Sequence, residues 1–568
     1  MRLRISAILL VPLLLPAFVR AQTRGTGPVT GRVVDSSGGA FDAQTREPAP
    51  ASPSKLRFDV SFVPQIHDGP ITGRAFVMVT RSVDKVPEPR LQIGRTGVPF
   101  FGRDVERLQP EKVVSIDGSD LGTPLDSIND IPAGDYFVQA VVTVYSEFRR
   151  ADGHVLWMHD DQWEGQRWNR APGTLYSAVE KVHIDPRVGG VIKLVATRSV
   201  APVEVPPDTR YVKRIKLQSP MLTKFWGRPI YLGAVVLLPR DYDRETISYP
   251  VNYGQGHFSL APPYGFDETN DFSKAWLSDG FPRMIAVTFQ HPTPYFDDSY
   301  AVNSVNNGPY GDAIMQELIP EIEKRFRVMR EPYARILSGG STGGWEAAAL
   351  QMFHPDFFGG AWAYCPDSVT FMDVEGVNIY EDENAFYKVY DWRKVPTANS
   401  RMVNGQLVMT SQQRNYFELV NGTHGRSGEQ IDIWSAVFGP IGKDGYFEPL
   451  FDKRTGVINK QVAAYWREHY DLLYYLQKNW STVGPKLVDK LFFFTGDVDT
   501  YYLNNSTKEL EKWMKTTTNP HYEGFFMYGN NKPHCWSGPV SPAERLKEIA
   551  QFIQRKRPEG ATTSWWAY

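Results

Sequence analysis

The chain has 568 residues, of which 42% are hydrophobic and 22% are charged. A domain usually needs roughly 100 to 200 residues, so this length predicts two or more folded units with a sizeable core. The 62 basic and 64 acidic side chains leave a formal charge of -2. This balance gives no overall field that would attract a polyanion, which argues against nucleic acid as a partner.

The first residues have the pattern of a secretory signal peptide. Arg2 and Arg4 precede an apolar run from Ile5 to Phe18, and Val19-Arg20-Ala21 resembles a small-residue cleavage site. The run is shorter than the roughly 20 apolar residues that a membrane-spanning helix needs. We therefore expect residues 1–21 to be a signal peptide, the protein to be secreted or periplasmic, and no membrane contact after cleavage.

The next part of the chain changes from a linker to strand-like composition. Residues 22–55 are rich in Gly, Pro, Ser, Thr and Ala without an apolar period, which is typical of a flexible linker. From Leu56 onward, short runs alternate apolar and polar residues between Gly, Pro and Asp turns. This pattern predicts an N-terminal all-β sandwich over residues 56–205.

Further along, strand-like runs alternate with long amphipathic segments, which indicates a mostly parallel sheet covered by helices. We predict such a domain over residues 215–558, followed by a C-terminal tail at 559–568. The stretch at about 368–488 contains several tryptophans and is too long for a plain crossover, so we expect a partly helical insertion over the site.

The sharpest local motif is Gly339-Gly340-Ser341-Thr342-Gly343, which follows a short apolar strand and precedes an Ala-rich helix. G-x-S-x-G in this context is typical of a nucleophile elbow, where glycines let strand and helix approach around a strained serine. The alternative is a plain strand-to-helix turn in a Gly-rich chain, but the flanking elements favour the elbow. Ser341 is the predicted nucleophile.

A serine hydroxyl is a weak nucleophile and needs a general base, and folds with this elbow supply the acid and then the histidine later in the chain. Among the later histidines, only His534 lies in a loop directly after a late strand-like run. The acid must hold the imidazole tautomer and stabilise the imidazolium. Asp497 and Asp499 both follow the strand-like run Leu491 to Phe494. We prefer Asp499 and keep Asp497 as the alternative.

An oxyanion hole would combine the backbone N–H of Thr342 with one from an earlier strand-to-helix loop. The loop Pro250 to Phe258 suits this role, with the N–H of His257 or Phe258 as the donor. His257 and His291 could also suggest a metal site, but no carboxylate stands at clear ligand spacing. We therefore predict no metal and no cofactor.

The chain has only two cysteines, Cys365 and Cys535, which excludes a disulfide-dense framework and a cysteine-rich metal site. In an oxidising compartment the pair could form one disulfide. Two free thiols are an equally weighted alternative.

Four motifs together resemble the putative esterase family of α/β-hydrolases, over roughly residues 215 to 555. They are Tyr249-Pro250-Val251, Glu317-Leu318-Ile319-Pro320, Gly339 to Gly343 and His534-Cys535-Trp536. That family includes feruloyl and acetylxylan esterases, S-formylglutathione hydrolase, enterochelin esterases and mycolyltransferases. The resemblance implies an α/β-hydrolase fold with Ser341, Asp499 and His534 as its triad.

Two features depart from the family pattern: Gln255-Gly256-His257 replaces the usual His-Gly of the oxyanion loop, and the insertion is long. A β-sandwich ahead of the hydrolase is similar to the enterochelin esterase arrangement. We predict an exported serine esterase that acts on a small-molecule or polysaccharide-linked ester, or on an aromatic acyl ester. The alternatives are an exported serine peptidase of similar fold and a non-catalytic binding protein on a hydrolase scaffold. The sequence does not indicate the oligomeric state.

Overall fold

The computed structural model describes residues 55–566, and the described residues belong to one compact unit. The predicted signal peptide and all but the last residue of the predicted linker lie outside the described residues. Strands in residues 56–199 form a ten-stranded sheet, and strands in residues 212–529 form an eight-stranded sheet. Within residues 55–566, no helix is long and apolar enough to cross a bilayer.

The first sheet results from the alternating pattern seen in the sequence. In Leu56–Phe62, for example, every second side chain is buried, because successive side chains of a strand point to opposite faces. The strands are β1 (Leu56–Phe62), β2 (Ile71–Thr80), β3 (Phe100–Leu108), β4 (Val114–Asp117), β5 (Gly122–Thr123), β6 (Gly134–Arg149), β7 (Val155–His159), β8 (Leu175–Ser177), β9 (Glu180–Ile184) and β10 (Gly190–Ser199). Hydrogen bonds join all ten into one sheet, and a separate sandwich domain over 56–205 stays a prediction.

The second sheet begins with two antiparallel strand pairs and continues with parallel strands. Along the chain, helices separate most strands of this sheet. The first part of the region contains, in chain order, β11 (Val212–Gln218), α1 (Pro220–Trp226), β12 (Tyr231–Leu237), β13 (Val251–Gln255), α2 (Asp271–Leu277), β14 (Ile285–Gln290), the separate short pair β15 (Asn303–Ser304) and β16 (Gly308–Pro309), α3 (Tyr310–Ala313), α4 (Ile319–Arg325), β17 (Arg335–Gly340), α5 (Thr342–Phe353) and β18 (Gly360–Tyr364). Its last part contains β23 (Leu491–Gly496), α10 (Asn504–Met514), β24 (Phe525–Gly529) and α11 (Pro542–Lys556).

The strand order of the second sheet is β11-β12-β14-β13-β17-β18-β23-β24, and every pair from β14-β13 to β23-β24 is parallel. Strand β12 is buried along almost its whole length, as expected for a sheet covered on both faces. The predicted mostly parallel sheet with covering helices, and with it the α/β-hydrolase fold, is confirmed.

One predicted helix is interrupted. The apolar residues of Gly311 to Arg327 recur near helical spacing, which predicts one helix. A π-helical turn at Ile314–Leu318 separates α3 from α4 instead. Pro320 lies in the first turn of α4 and has no N–H to donate to the preceding turn, which explains the local change of winding.

The segment between β18 and β23 contains two strand pairs and four helices. They are β19 (Tyr387–Tyr390), β20 (Arg393–Pro396), β21 (Ala398–Arg401), β22 (Leu407–Thr410), α6 (Ser411–Asn421), α7 (Gln430–Phe438), α8 (Lys460–Tyr470) and α9 (Leu472–Leu487). Trp434, Trp466 and Trp480 are buried in the core, whereas Trp392 is 98% exposed. Most tryptophans of this segment therefore pack the protein interior.

The last helix and the residues after it close the hydrolase core. Ser541 caps α11 reciprocally with Glu544, and Pro542 stands at the start of the helix, where its missing N–H costs nothing. Within the predicted tail, Trp565 is buried, and its carbonyl accepts a hydrogen bond from the Arg283 N–H at 3.0 Å. This end of the described chain is thus packed against the domain.

Candidate active site

Ser341 stands between β17 and α5, at the edge where the parallel strands end. Its backbone has φ 59° and ψ -124°, a conformation that is strained for a residue with a side chain. The Ser341 N–H donates to the carbonyl of Tyr364 at 3.0 Å, which ties the turn to the neighbouring strand β18. The hydroxyl is therefore presented outside the sheet on a sharp turn.

Two glycines make this turn possible. A Cβ atom at Gly339 would lie 2.2 Å from the carbonyl oxygen of Gly343, and one at Gly343 would lie 2.1 Å from the carbonyl oxygen of Gln255. Both distances are too short for any side chain because the obstructing atoms belong to the backbone. The spacing of glycines in the motif thus reflects the close approach of β17, α5 and β13.

The fold brings His534 and Asp499 to this serine. The Nε2 atom of His534 lies 2.8 Å from the Ser341 Oγ, and its Nδ1 atom lies 2.7 Å from Asp499 Oδ2. Asp499 is fully buried, and its Oδ1 accepts the backbone N–H of Tyr501 at 2.8 Å. Those contacts hold the carboxylate in place, so the imidazole is oriented with its other nitrogen toward the hydroxyl.

Asp497, the alternative acid, has no hydrogen bond to His534. Its backbone N–H donates to the carbonyl of Gly529, and its Oδ1 is buried without a hydrogen-bond partner. Of the two predicted acids, the structure therefore brings only Asp499 within reach of the imidazole.

The electrostatics of His534 follow from its neighbours. Burial alone would lower the pKa of the imidazole, but the hydrogen bond and charge of Asp499 and the adjacent Cys535 raise the pKa of His534. The Cys365 thiol and His534 in turn lower the pKa of Cys535 to about 5. Both cysteines are free thiols, with Cys365 buried and Cys535 exposed.

The three predicted oxyanion donors also lie at this edge. Thr342 is the first residue of α5, so its N–H has no intrahelical acceptor. Strand β13 runs beside β17 up to Gln255, which is opposite Gly339, and His257 and Phe258 follow directly. The His257 Nδ1 contacts two carboxylates and the Phe258 ring packs edge-on against Trp163, and the backbone N–H groups of both residues are candidate donors to a bound oxygen.

Asp367 is a second carboxylate at the serine, and sequence reasoning missed it. Its Oδ1 accepts from the Ser341 hydroxyl at 3.3 Å, and its Oδ2 accepts from the Tyr300 hydroxyl at 2.5 Å and from the Thr342 hydroxyl at 3.1 Å. The Gln430 amide, from α7, donates to the same oxygen at 3.1 Å. Its position just after β18, the strand beside the nucleophile strand, was the available signal.

Two groups of side chains each offer three potential metal ligands within 4.8 Å of one another. In the first, His257 Nδ1 is hydrogen-bonded to Asp297 at 3.0 Å and to Asp298 at 2.9 Å. Burial opposes the charged imidazolium, but these carboxylates raise the pKa of His257 well above its usual range. Burial raises the pKa of Asp298 to about 7, so a proton on this acid can offset the second negative charge beside the imidazolium.

The second group comprises Cys365, His534 and Cys535. Both ring nitrogens of His534 are already engaged by Asp499 and Ser341, so this imidazole has no free lone pair for a metal. Neither group fits a resident metal as well as it fits the hydrogen bonds that it makes.

The region of the first sheet also reaches the site. Arg95, from the turn before β3, donates to the Tyr501 hydroxyl at 2.7 Å, and the Tyr501 ring packs edge-on against the His534 ring at 5.0 Å. Arg95 also lies 3.7 Å from Glu429, next to α7. Three separate parts of the chain therefore meet around His534.

The chain was compared with known proteins. A family described as "Putative esterase" matches residues 231–432, which span β12 to α7 and include Ser341 but not Asp499 or His534. No curated protein matches the chain.

Several solved structures are similar to part of it. A ferulic acid esterase is 16% identical with a TM-score of 0.36, and the match covers 61% of this chain and 97% of that one. An S-formylglutathione hydrolase from Agrobacterium tumefaciens is 12% identical with a TM-score of 0.35 over 61% and 98%. A ferulic acid esterase from Anaeromyces mucronatus is 13% identical with a TM-score of 0.27 over 61% and 91%.

The family match coincides with the elbow strand, the nucleophile turn and the flanking strands of the second sheet. Residues 231–432 are therefore similar to the putative esterase family, and this match indicates a carboxylic ester hydrolase.

Proposed function

We propose that Ser341 attacks the carbonyl carbon of a carboxylic ester while His534 takes the hydroxyl proton. The observation that carries this proposal is the continuous hydrogen-bond chain from Ser341 Oγ through His534 to Asp499, with distances of 2.8 Å and 2.7 Å. A base within this distance can accept the proton as the new C–O bond forms. Asp499 would hold the tautomer that leaves Nε2 free and stabilise the imidazolium.

The first step produces a tetrahedral intermediate whose oxygen is negatively charged. The N–H groups of Thr342 and of His257 or Phe258 would stabilise this oxyanion, and a donor of this kind typically contributes about 3 to 4 kcal/mol to the transition state. His534 then returns the proton to the leaving alcohol, and an acyl-enzyme on Ser341 remains. Water activated by the same imidazole would release the acid.

Asp367 also faces the Ser341 hydroxyl, so two groups near the serine could accept its proton. The Oδ2 atom of Asp367 already accepts from Tyr300, Thr342 and Gln430, and these donors offset its charge. The serine proton has its shorter contact with His534, at 2.8 Å against 3.3 Å to Asp367. We therefore assign Asp367 the role of positioning Tyr300, Gln430 and the start of α5 around the serine.

The substrate is proposed to be an ester outside the cell, either a small molecule or one linked to a polysaccharide. The support for export is the signal-like pattern of residues 1–21 in the sequence.

The test is the Ser341→Ala variant assayed with short p-nitrophenyl esters, alongside labelling of the wild-type protein by a fluorophosphonate probe. We expect the variant to lose ester turnover and labelling, with an unchanged unfolding temperature. Equal turnover by the variant would exclude Ser341 as the nucleophile. Wild-type protein that is neither labelled nor active on any ester would favour the binding-protein alternative, and preference for peptides over esters would favour a peptidase.

A further inference from the structure

A cavity of about 340 Å³, in the size range of small-ligand sites, is lined by His257 and Gln430. The side chains that matter for its chemistry come from the region of the first sheet, from the hydrolase sheet and from the insertion; they are Arg95, Arg167, Arg170, His257, Asp297 and Gln430. The cavity therefore does not belong to the hydrolase domain alone.

The cavity is connected to the nucleophile by two short contacts. Gln430, which lines it, donates to Asp367 Oδ2 at 3.1 Å and to the Thr342 hydroxyl at 3.2 Å. The other oxygen of Asp367 accepts from the Ser341 hydroxyl at 3.3 Å. A ligand in the cavity would thus lie next to the side chains that surround the reacting hydroxyl.

The charges that line the cavity do not balance. Asp297 is paired with His257 at 3.0 Å, and Glu429 is paired with Arg95 at 3.7 Å. In the described part of the chain, the guanidinium groups of Arg167 and Arg170 have neither an ion pair nor a hydrogen bond, and both residues are exposed to solvent. Two positive charges are left without a partner at one wall.

The loop that carries these arginines is held by the residues between them. The indole of Trp168 stacks on Phe76 with centroids 4.0 Å apart, and its N–H donates to Asn421 at 3.1 Å. Asn169 donates to the Arg90 carbonyl at 2.8 Å and its own carbonyl accepts from the Arg90 guanidinium at 2.8 Å. A ligand would meet a backbone that is already ordered, which lowers the entropic cost of binding.

The same loop also closes on itself. The Arg170 N–H donates to the Arg167 carbonyl at 2.8 Å, so the two arginines stand at the two ends of one tight turn. Each guanidinium presents a planar fork of donors that matches a carboxylate. A carboxylate, which is planar and singly charged, therefore fits this wall.

We propose that this cavity binds the non-reacting end of the ester substrate and that this end carries a carboxylate, received by Arg167 and Arg170. The inference rests on the proposed function of Ser341, because it names the substrate class of that site. It also assigns a task to the region of the first sheet, which supplies both arginines. Substrate selection, in this view, comes from outside the hydrolase sheet.

The test compares matched charged and neutral esters. One pair places the charge on the acyl side, mono-p-nitrophenyl adipate against p-nitrophenyl hexanoate, and the other places it on the alcohol side, 4-acetoxybenzoate against phenyl acetate. We expect kcat/KM to favour the anionic member of at least one pair by about tenfold, as one charge-assisted hydrogen bond typically gives. This preference should be lost in the Arg167→Gln/Arg170→Gln variant.

The control is Arg198→Gln, which makes the same substitution once at an exposed position on β10 outside the cavity. The control should keep the preference. Increased ionic strength should weaken the preference in both the wild type and the control, whereas the double variant has no preference to lose. A wild type without preference in both pairs, or a preference that survives in the double variant, would overturn the proposal.

A calorimetric titration separates this proposal from the proposed chemistry. Adipate titrated into Ser341→Ala protein should bind, and the same protein with both arginines replaced by Gln should not bind it. Adipate binding that depends on the arginines, together with a wild-type protein that turns over no ester, would support the cavity and exclude the esterase. Ester turnover with adipate binding that is absent or independent of the arginines would exclude the cavity and leave the esterase.

Discussion

The Nε2 atom of His534 lies 2.8 Å from the Oγ atom of Ser341, although the two residues are 193 positions apart in the chain. The contact exists because β17 and β24 end at the same edge of one parallel sheet, with β18 and β23 between them. A large insertion separates β18 from β23 in the chain, but the two strands still pair side by side in the sheet. The register of the sheet, and not the local motif, therefore decides whether the two groups can exchange a proton.

Replacing Asp499 by Asn should reduce kcat on p-nitrophenyl esters by about 10⁴-fold, as expected when an imidazole loses the carboxylate that fixes its tautomer. Asp497→Asn is a matched control, because it makes the same chemical change in the same turn, and Asp497 has no hydrogen bond to His534. The control should keep kcat close to that of the wild type. Equal losses in both variants would show that the turn, and not the carboxylate at 499, matters.

The pH profile should reflect the raised pKa of His534. The reaction needs the neutral imidazole, so activity falls as the pH drops through this pKa, and raising the pKa moves the acid limb to higher pH. Cys535→Ser removes a thiolate beside the ring and should lower the pKa of His534, which moves the acid limb of kcat/KM to lower pH. A limb at the same pH in both proteins would mean that the sulfur does not act on the imidazole.

Cys535 should react selectively with iodoacetamide at neutral pH. Its pKa is lowered to about 5 by Cys365 and His534, so the thiolate predominates, and the side chain is exposed. Cys365 is buried and its pKa is raised by burial, so it should remain unmodified until the protein unfolds. Peptide mass spectrometry of the native and the unfolded protein measures the extent of modification at each cysteine. Equal labelling of the two cysteines in the native protein would contradict this assignment.

Gly343→Ala should lower the free energy of unfolding. Alanine gains about 1 kcal/mol of helix propensity over glycine, but overpacking against backbone typically costs about 1 to 3 kcal/mol or more. The cost should prevail here because the new Cβ would lie 2.1 Å from the Gln255 carbonyl oxygen. Gly340→Ala is the control, since its Cβ would be no closer than 3.9 Å to any neighbour. Chemical denaturation that ranks the two variants the other way would refute the steric argument.

Much of the fold could be predicted from periodicity. The strands around Ala234, Met284, Arg335, Ala361, Leu491 and Phe525 carry buried apolar runs, and each forms in the structure. The break inside Gly311 to Arg327 could not be seen from the apolar pattern, since Pro320 is tolerated at a helix start and only the preceding turn shows its effect. The sequence does not show which tryptophans of the insertion are exposed, and packing buries three of them.

The residues of the candidate site could be predicted only where the sequence carries a local signal. Glycine spacing and chain order indicated Ser341, His534 and a carboxylate after β23, because those signals are local. The choice between Asp497 and Asp499 depends on how the turn after Gly496 folds, and both lie on it. For Asp367 the only signal was its position just after β18, and the arginines at 167 and 170 carried none, since their importance comes from neighbours far away in the chain.

The amino-acid sequence by itself determined the kind of chemistry, because an elbow needs small residues at fixed positions and a histidine base must follow a late strand. Only the tertiary structure decided which carboxylate meets the imidazole, which acid stands beside the serine, and which charges surround the cavity. Those relationships are distances between residues that are remote in the chain. The register of parallel strands and the packing of the insertion set such distances, and neither is written in any short stretch of sequence.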